Sequence, residues 1–371
     1  MKYNSKIVGL ALVSTLIFSG CKSQLNSDNH KSNVDSNISS TATKEINEAN
    51  KEVVDAQKIA NENAKKDISE EPRYNDTIKL GYSGDLCLGA PNIANLNGYF
   101  KQKDINVEFV NTKQAKDALG TGKIDGLVGE FAGMVVPTTK GLDIVFSSAS
   151  HTGCKSLYVL SDSKIQETKE LEGKNLAITN GIGNSNHNTA LRFFNHDNVD
   201  PDKVTYKQVD NSAVIQAMES GEIDSAVLDD QFAKQFVDEG KIRTIRSMTH
   251  DEDFGREVCC VLVFNGTFAK ENPLIADNVA TAIQQANDYM HNNPEEATQK
   301  LYDNNLASGD FDAGLELVKS YNYSVKNDIA EETLKSVFTD YKEIGLIEDE
   351  RSVDDLMKQY WLPMGSFYKK N

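Results

Sequence analysis

The sequence predicts an α/β fold of two lobes, each a mostly parallel sheet flanked by helices, joined by two crossover strands and followed by a helical tail. A short motif that occurs twice supports this, as residues 118–125 (ALGTGKID) and residues 217–224 (AMESGEID). The segments before each copy alternate between strand and helix patterns, which is typical of a parallel sheet covered by helices. Helical patterns then dominate from Asn272 onward.

The N-terminus carries a targeting pattern. Lys2 and Lys6 precede an apolar run, 7–18, that is too short to span a bilayer, and Ser-Gly-Cys follows, ending at Cys21. This order resembles a bacterial lipoprotein signal peptide. The resemblance implies that residues 1–20 are removed, that the Cys21 thiol is diacylated, and that the chain is lipid-anchored on the extracytoplasmic face of the membrane. An ordinary buried helix with a chance cysteine is the alternative.

Residues 21–76 form a polar segment between this anchor and the folded part. Ser, Asn, Asp and Lys dominate up to Thr43, a composition that does not support a packed core. A weak helical stripe of mostly small residues follows: Ile46, Ala49, Val53, Ala56 and Ala60. The pattern indicates a partly helical spacer, with a partner-binding coiled coil as the alternative.

The charge balance restricts the partners. The chain has 371 residues and a formal net charge of −17. Nucleic-acid binding needs clustered Lys and Arg, so we expect no nucleic-acid partner. The part after residue 76 is long enough for two lobes of ordinary size.

Each motif copy ends a strand–helix–strand–helix series. The glycine just past the helix in each copy is predicted to be its C-cap, because glycine accepts the left-handed conformation without a Cβ clash. An apolar strand then follows, 126–128 in one copy and 226–228 in the other. The upstream elements are strands at 78–82, 105–110, 176–179 and 204–208, and helices at 90–100 and 185–195.

The tail is predicted to be helical after one more strand, Val258–Phe264. That strand carries the chain back, so residues 77–153 and 259–371 form the first lobe and residues 154–258 the second. The crossovers fall near 148–160 and 256–264. Helices are predicted from Asn272-Pro273 onward and at 294–302, 311–319, 331–344 and 353–360.

Several segments resemble one family of binding proteins: Ile78–Tyr82, Gly98–Phe100, the turn Gly122–Gly126 and Leu171–Ile178. With the lipoprotein signal and the two lobes, they are similar to the nitrate/sulfonate/taurine-binding group of ABC-importer substrate-binding lipoproteins, which have the type II periplasmic-binding-protein fold. The resemblance implies a small anionic ligand gripped between the lobes by hinge closure. It also implies a membrane permease and an ATPase as partners, and no enzymatic activity. It specifies fold better than ligand.

Ligands of such sheets lie beyond the carboxyl ends of the strands. The loops there are 83–87, 129–133 and 180–187. The third loop precedes a predicted helix, so its N–H groups can bind an anion. Alternatively, its residues only cap that helix. Lys113, Lys155 and Arg256 are the basic residues placed to help. The candidate ligand-binding residues are Asp85, Cys87, Glu130, Cys154, Asn184, Ser185, His187, Asp229 and Cys259.

Four cysteines besides Cys21 fall in these loops or crossovers: Cys87, Cys154, Cys259 and Cys260. Thiolates and imidazoles, such as that of His151, bind soft metals. The alternative ligand is therefore a metal, a metal complex or an iron–sulfur cluster. Apart from such a ligand, no cofactor is expected. A disulfide from Cys154 to Cys259 or Cys260, or inert buried thiols, is equally compatible. Adjacent strand residues face opposite ways, so Cys259 and Cys260 both reach one site only through a bulge.

An enzyme is the remaining hypothesis. Similar folds serve thiamine-pyrimidine and menaquinone-pathway enzymes, and Cys with His can supply a nucleophile and a base. No nucleophile elbow, phosphate loop or zinc-protease motif occurs in the chain.

Overall fold

A computed structural model of the chain describes residues 67–82, 84–111 and 114–365. The signal peptide, Cys21, most of the spacer and Lys113 lie outside the described residues, so the predictions for them stay predictions. Within the described part, no helix combines the length and apolar character needed to cross a membrane.

Ten strands lie in two five-stranded sheets. The first sheet has the order β2-β1-β3-β10-β4 and the second the order β7-β6-β8-β5-β9. The strands are β1 (Thr77–Tyr82), β2 (Asn106–Asn111), β3 (Gly126–Glu130), β4 (Ile144–Thr152), β5 (Lys155–Leu160), β6 (Asn175–Ile178), β7 (Thr205–Gln208), β8 (Ser225–Asp229), β9 (Ile242–Ser247) and β10 (Val258–Asn265).

Each sheet is parallel except at one strand. β10 runs antiparallel to both of its neighbours in the first sheet, and β5 does the same in the second. These two strands are the ones that bring the chain in from the other sheet. We call the part of the chain packed around each sheet a lobe. The predicted fold class is therefore confirmed, while the exact lobe boundaries at 153/154 and 258/259 stay predictions.

Twelve α-helices in the described residues cover these sheets. They are α1 (Ala90–Leu96), α2 (Ala115–Gly120), α3 (Phe131–Thr139), α4 (Ser185–His196), α5 (Asn211–Glu219), α6 (Asp230–Asp238), α7 (Gly266–Glu271), α8 (Pro273–Asn292), α9 (Pro294–Asp303), α10 (Phe311–Ser320), α11 (Asn327–Glu343) and α12 (Val353–Tyr360). Single 3₁₀ turns lie at Ile68–Glu70, Leu86–Leu88, Lys101–Lys103, Thr168–Leu171 and Pro201–Lys203.

Apolar side chains fill both faces of each sheet. Every residue of β10 is buried, as expected for a central strand with helices on both sides. Its side chains alternate between two cores: Leu262 and Phe264 pack with α1 and α8, and Val261 and Val263 pack with α11 and α12. The second sheet likewise has one core on each face. The helical tail thus completes the first lobe.

The repeated motif has the same structural role in both lobes. Gly122 and Gly221 follow their helices with φ values of +69° and +77°, the conformation predicted for a C-cap glycine. The Asp125 carboxylate then accepts a hydrogen bond from the Lys79 N–H at 2.8 Å. Asp224 accepts one from Asn175 at the same distance. The motif therefore fastens β1 in the first lobe and β6 in the second.

Several elements differ from the sequence prediction. Helix α1 ends at Leu96 rather than near Phe100, because Gly98 turns the chain with a φ of +73°. Helix α3 was expected to be part of a loop, but it begins directly after β3. Its sequence is apolar on nearly all sides and contains Pro137, so it has no amphipathic period to reveal it. Strands β4 and β9 and helix α6 were also not predicted in full.

Replacing Asp125 with Ala tests the role of the motif. The change leaves the Lys79 N–H without its side-chain acceptor, and it removes one of the two carboxylate partners of Arg73, whose Nη1 lies 2.9 Å from Asp125 Oδ1. We expect unfolding to become easier by about 1–3 kcal/mol, seen as a lower midpoint in urea. Glu108→Ala removes an exposed carboxylate of β2 and should change stability by less than about 0.5 kcal/mol. Equal midpoints for the two variants would contradict this role.

Candidate functional site

A cleft of about 450 Å³ opens between the two lobes. It lies where β1, β3 and β6 end, which is where parallel sheets bind ligands. The first lobe contributes Gly81, Tyr82, Asp85, Leu88, Ala115, Lys116, Leu127, Val128, Gly129, Glu130, Gly133 and Met134, and the second contributes Asn180, Asn184 and Ser185. Four of the sequence-predicted residues, Asp85, Glu130, Asn184 and Ser185, therefore line one cavity.

The loop before α4 shapes the second-lobe wall of this cleft. Gly181 and Gly183 have φ values of +95° and +81°, which allow a tight turn into the helix. Asn180 Nδ2 donates a hydrogen bond to Ser185 Oγ at 2.7 Å, which fixes the first turn of the helix. Asn184 is the N-cap residue but makes no side-chain capping bond. Its side-chain oxygen instead accepts a hydrogen bond from across the cleft.

Lys116 reaches over the cleft from the first lobe. Its Nζ donates a hydrogen bond to Asn184 Oδ1 at 3.1 Å. The ammonium is thus held next to the N-terminus of α4, where backbone N–H groups also favour negative charge. Sequence reasoning missed this residue. The signal available was that it lies in the first turn of a helix that follows β2.

A buried lysine contacts one residue of the cleft wall. Lys155 is only 1% exposed, and its Nζ lies 3.0 Å from Glu130 Oε1 and 2.8 Å from Asn186 Oδ1. It also pairs with Asp229, whose side chain is partly exposed. Glu130 belongs to the first lobe and Asp229 to the second, so the ammonium joins the two. Such a charge is tolerated in the interior because carboxylates and an amide surround it.

This arrangement changes the acidity of Glu130. Burial raises the pKa of its carboxyl group to about 7, although the nearby Lys155 ammonium acts in the opposite direction. The negative charges of Asp229 and Cys154 raise the pKa further. Glu130 therefore changes protonation near neutral pH.

The cysteines form a cluster next to this lysine. Cys154, Cys259 and Cys260 have sulfur atoms within 4.8 Å of one another. Cys154 also groups with the Cys87 sulfur and a ring nitrogen of His151 within the same distance. We call these five residues the thiol cluster. All four cysteines are free thiols in the structure, although Cys154 Sγ and Cys259 Sγ are 2.8 Å apart. Contacts with the other three thiols lower the pKa of Cys154.

Two backbone irregularities bring the thiols together. The pairing of β10 with β4 shifts register on both sides of Cys260, which is the bulge needed to bring both adjacent cysteines to one site. Cys154 itself has a φ of +90°, which is rare for a residue other than glycine. Its N–H is held by Thr249 Oγ1 at 3.0 Å. Cys87 comes from the 3₁₀ turn after β1.

The remaining candidates lie elsewhere. His187 is half-buried, packs edge-on against Tyr206 with ring centroids 4.7 Å apart, and accepts a hydrogen bond from the Gly183 N–H through Nδ1. It does not line the cleft, and it does not belong to the thiol cluster. Arg256 is exposed.

Further contacts hold the lobes together around the cleft. The Leu86 N–H donates to Gln231 Oε1 at 2.9 Å, and Asn188 Nδ2 donates to the Ala132 carbonyl at 2.8 Å. Buried Arg192 of α4 forms an ion pair with Glu257 at 2.6 Å and a second one with Asp340 of α11. Three of these contacts, Leu86–Gln231, Asn188–Ala132 and Arg192–Asp340, join the two lobes.

The described residues form two lobes with one cleft between them. The NMT1/THI5-like family model matches residues 92–297, and the chain belongs to this family. No curated protein sequence matches the chain. The resemblance to the nitrate/sulfonate-binding group is thereby confirmed at the level of family and fold.

Solved structures of low sequence identity share the fold. The alkanesulfonate-binding protein SsuA from Xanthomonas axonopodis pv. citri, bound to MOPS, is 14% identical with a TM-score of 0.62, over 77% of this chain and 98% of that one. The periplasmic nitrate-binding protein NrtA from Synechocystis PCC 6803 is 14% identical, with a TM-score of 0.65 over 78% and 86%. The ligand-binding component of an ABC-type import system from Staphylococcus aureus, with zinc bound, is 15% identical, with a TM-score of 0.61 over 77% and 96%.

The raised pKa of Glu130 predicts a pH-dependent stability. A carboxyl group with a pKa near 7 in the folded chain takes up a proton on folding between that pH and its ordinary value of 4.5. Its contribution to stability therefore increases as the pH falls through 7. Glu130→Gln lacks this proton uptake, so the stability of the variant relative to the original chain should decrease from about pH 8 to about pH 5. Urea unfolding at both pH values measures it, and a constant difference contradicts the raised pKa.

Proposed function

We propose that this protein is the extracytoplasmic substrate-binding protein of an ABC importer and captures a small ligand between its two lobes. The cleft carries this proposal: one cavity of about 450 Å³ is lined by residues of both lobes at the carboxyl ends of their strands. A ligand that contacts both walls stabilises the closed arrangement over any open one, because its contacts are complete only there. Closure would then be a hinge motion about the crossover strands.

The charges around the cleft favour a ligand that carries both signs. Lys116 and the start of α4 offer a positive environment on one side. Asp85 and Glu130 offer carboxyl groups in the same cavity. Nitrate or a simple sulfonate would use only the first of these sites. A taurine-like ligand, with a sulfonate and an amine, would use both, and this makes it the form of the family's anionic ligands that suits this cleft best.

The same proposal includes a membrane anchor and transport partners. The lipoprotein signal supports cleavage before Cys21 and lipidation of its thiol, with residues 21–76 as a spacer. Two or more acyl chains hold a protein stably on a membrane. The lobes would then deliver the ligand to a permease, whose ATPase subunits drive uptake. No step of this scheme requires catalysis by the chain itself.

The metal alternative for the cargo has less support than a small organic ligand. Cys87, Cys154, Cys259 and Cys260 are not among the residues that line the cleft. Three of them, Cys154, Cys259 and Cys260, are at most 8% exposed. An iron–sulfur cluster would also need donor atoms spread around several metal ions, whereas the ligand atoms in each group of three lie within 4.8 Å of one another.

Calorimetric titration with taurine and ethanesulfonate tests the ligand class. We expect taurine to bind, and Lys116→Met to weaken it about 10–100-fold, since a charge-assisted hydrogen bond contributes about 1.5–3 kcal/mol. Lys123→Met removes an exposed lysine that does not line the cleft and should have no effect. Equal affinity of the two lysine variants for taurine, or no binding of taurine to the original chain, contradicts this ligand class.

The carboxyl groups are tested separately with the same two compounds. Ethanesulfonate lacks the amine of taurine, so the two ligands differ only in the group that Glu130 is proposed to contact. Glu130→Gln should weaken taurine by about tenfold more than it weakens ethanesulfonate. An equal loss for both ligands contradicts a contact between Glu130 and the amine.

Replacing Cys21 with Ser tests the anchor. Without the thiol, no diacylglyceryl group can be attached, so the protein should move from the membrane fraction to the soluble extracytoplasmic fraction or retain its signal peptide. Fractionation of cells that produce either form, followed by mass measurement, reports both outcomes. A membrane-bound Cys21→Ser protein with the signal peptide removed contradicts lipidation at this residue.

A further inference from the structure

The thiol cluster has the composition of a metal site. Its five members supply four thiols and one imidazole from different parts of the chain: the turn after β1, strand β4, the start of the first crossover and strand β10. Cys154 belongs to both groups of three, Cys87–His151–Cys154 and Cys154–Cys259–Cys260. Mixed sulfur and imidazole donors are preferred by Zn²⁺ and other borderline or soft cations.

The spacing fits one ion. In a tetrahedral site with Zn–S bonds of about 2.3 Å, the sulfur atoms lie about 3.8 Å apart. The ligand atoms in each group of three lie within 4.8 Å of one another, and Cys154 and Cys260 have their sulfur atoms 4.0 Å apart. Small side-chain movements would therefore close four donors around a single cation.

His151 provides an independent observation. Its ring is fully buried, and Nδ1 lies 3.0 Å from the Thr152 carbonyl oxygen, a geometry that favours the tautomer with the proton on Nδ1. Nε2 has no hydrogen-bond partner among the described residues. A buried acceptor without a partner is costly. An imidazole that donates one N–H to a carbonyl and keeps the other nitrogen available is the usual arrangement of a metal-bound histidine.

The backbone also favours a built site. Cys154 keeps a φ of +90°, a conformation that costs about 1–3 kcal/mol for a residue other than glycine. The bulge at Cys260 brings the Cys260 thiol close to that of Cys154. Lys155, whose ammonium is near Cys154, offsets part of the negative charge that thiolates would bring into the interior.

We propose that the thiol cluster is a binding site for a single thiolate-preferring metal cation, with Zn²⁺ as the probe, centred on Cys154. The ion would link the turn after β1 to both crossover strands, and each thiol that joins it would release its proton to solvent. It would therefore stabilise the region about which the lobes move. This site is separate from the cleft and goes beyond the proposed transport function.

Metal titration of the full chain, purified reduced and without air, tests the site. We expect one Zn²⁺ per chain in competition with a chromophoric chelator, and a rise in the thermal unfolding midpoint on binding. Co²⁺ in its place should give thiolate-to-cobalt absorption and the strong visible bands of tetrahedral coordination. A Co²⁺ complex without thiolate absorption, or no metal uptake by the reduced chain, overturns the proposal.

Serine variants locate the site. Loss of a partner that only orients a metal ligand costs about 10–100-fold in affinity, so Cys154→Ser, which removes the shared ligand, should weaken Zn²⁺ binding about 100-fold or more. Cys87→Ser removes a ligand from one group only and should weaken it less. Cys21→Ser, a cysteine outside the cluster, should bind as the original chain does.

Circular dichroism of the metal-free variants shows whether each has folded, and the Co²⁺ spectrum of the original chain does not depend on any variant. Equal Zn²⁺ affinity of Cys154→Ser and Cys21→Ser overturns the proposal. Taurine titrations remain independent, because Cys154 does not line the cleft. A chain that binds Zn²⁺ and no taurine would thus keep the metal site and lose only the ligand class.

Discussion

A buried ammonium group determines how the two lobes meet. Lys155 is almost inaccessible to water, and it is held by Glu130 of the first lobe and Asp229 of the second. Removing one partner of a buried ion pair commonly costs about 3–5 kcal/mol, because the other charge then lies in the interior uncompensated. The lobes can therefore separate only if water or a ligand replaces one carboxylate. The interaction fixes the position of Glu130 in the cleft wall. Because burial raises the pKa of Glu130 to about 7, the interaction also changes with pH near neutrality.

The neighbouring residue explains why the same short segment serves two purposes. Lys155 contacts Glu130 of the cleft wall, while Cys154 contacts the sulfur atoms of β10. Both lie where the chain passes from one sheet to the other. A cation among the thiols and a ligand in the cleft would thus both act near this crossover, without sharing a contact residue.

The sequence was sufficient to predict the fold because local and long-range signals agree. The repeated motif, its glycines and its aspartates perform the same role in both lobes, so each copy supported the interpretation of the other. Helix α3 was not predicted, since its sequence is apolar on nearly all sides and shows no polar face. The cleft residues Asp85, Glu130, Asn184 and Ser185 followed from the rule that ligands lie at strand ends. Lys116 and the pairing of Lys155 were not predictable, because they depend on how the lobes approach each other in space.

Native mass spectrometry of the reduced protein, isolated without removal of bound compounds, tests the central claim most directly. The account predicts a small-molecule adduct on the original chain that Lys116→Met loses and Cys154→Ser keeps. A chain that carries no small-molecule adduct, or one that Lys116→Met retains in full, would contradict a cargo held between the lobes.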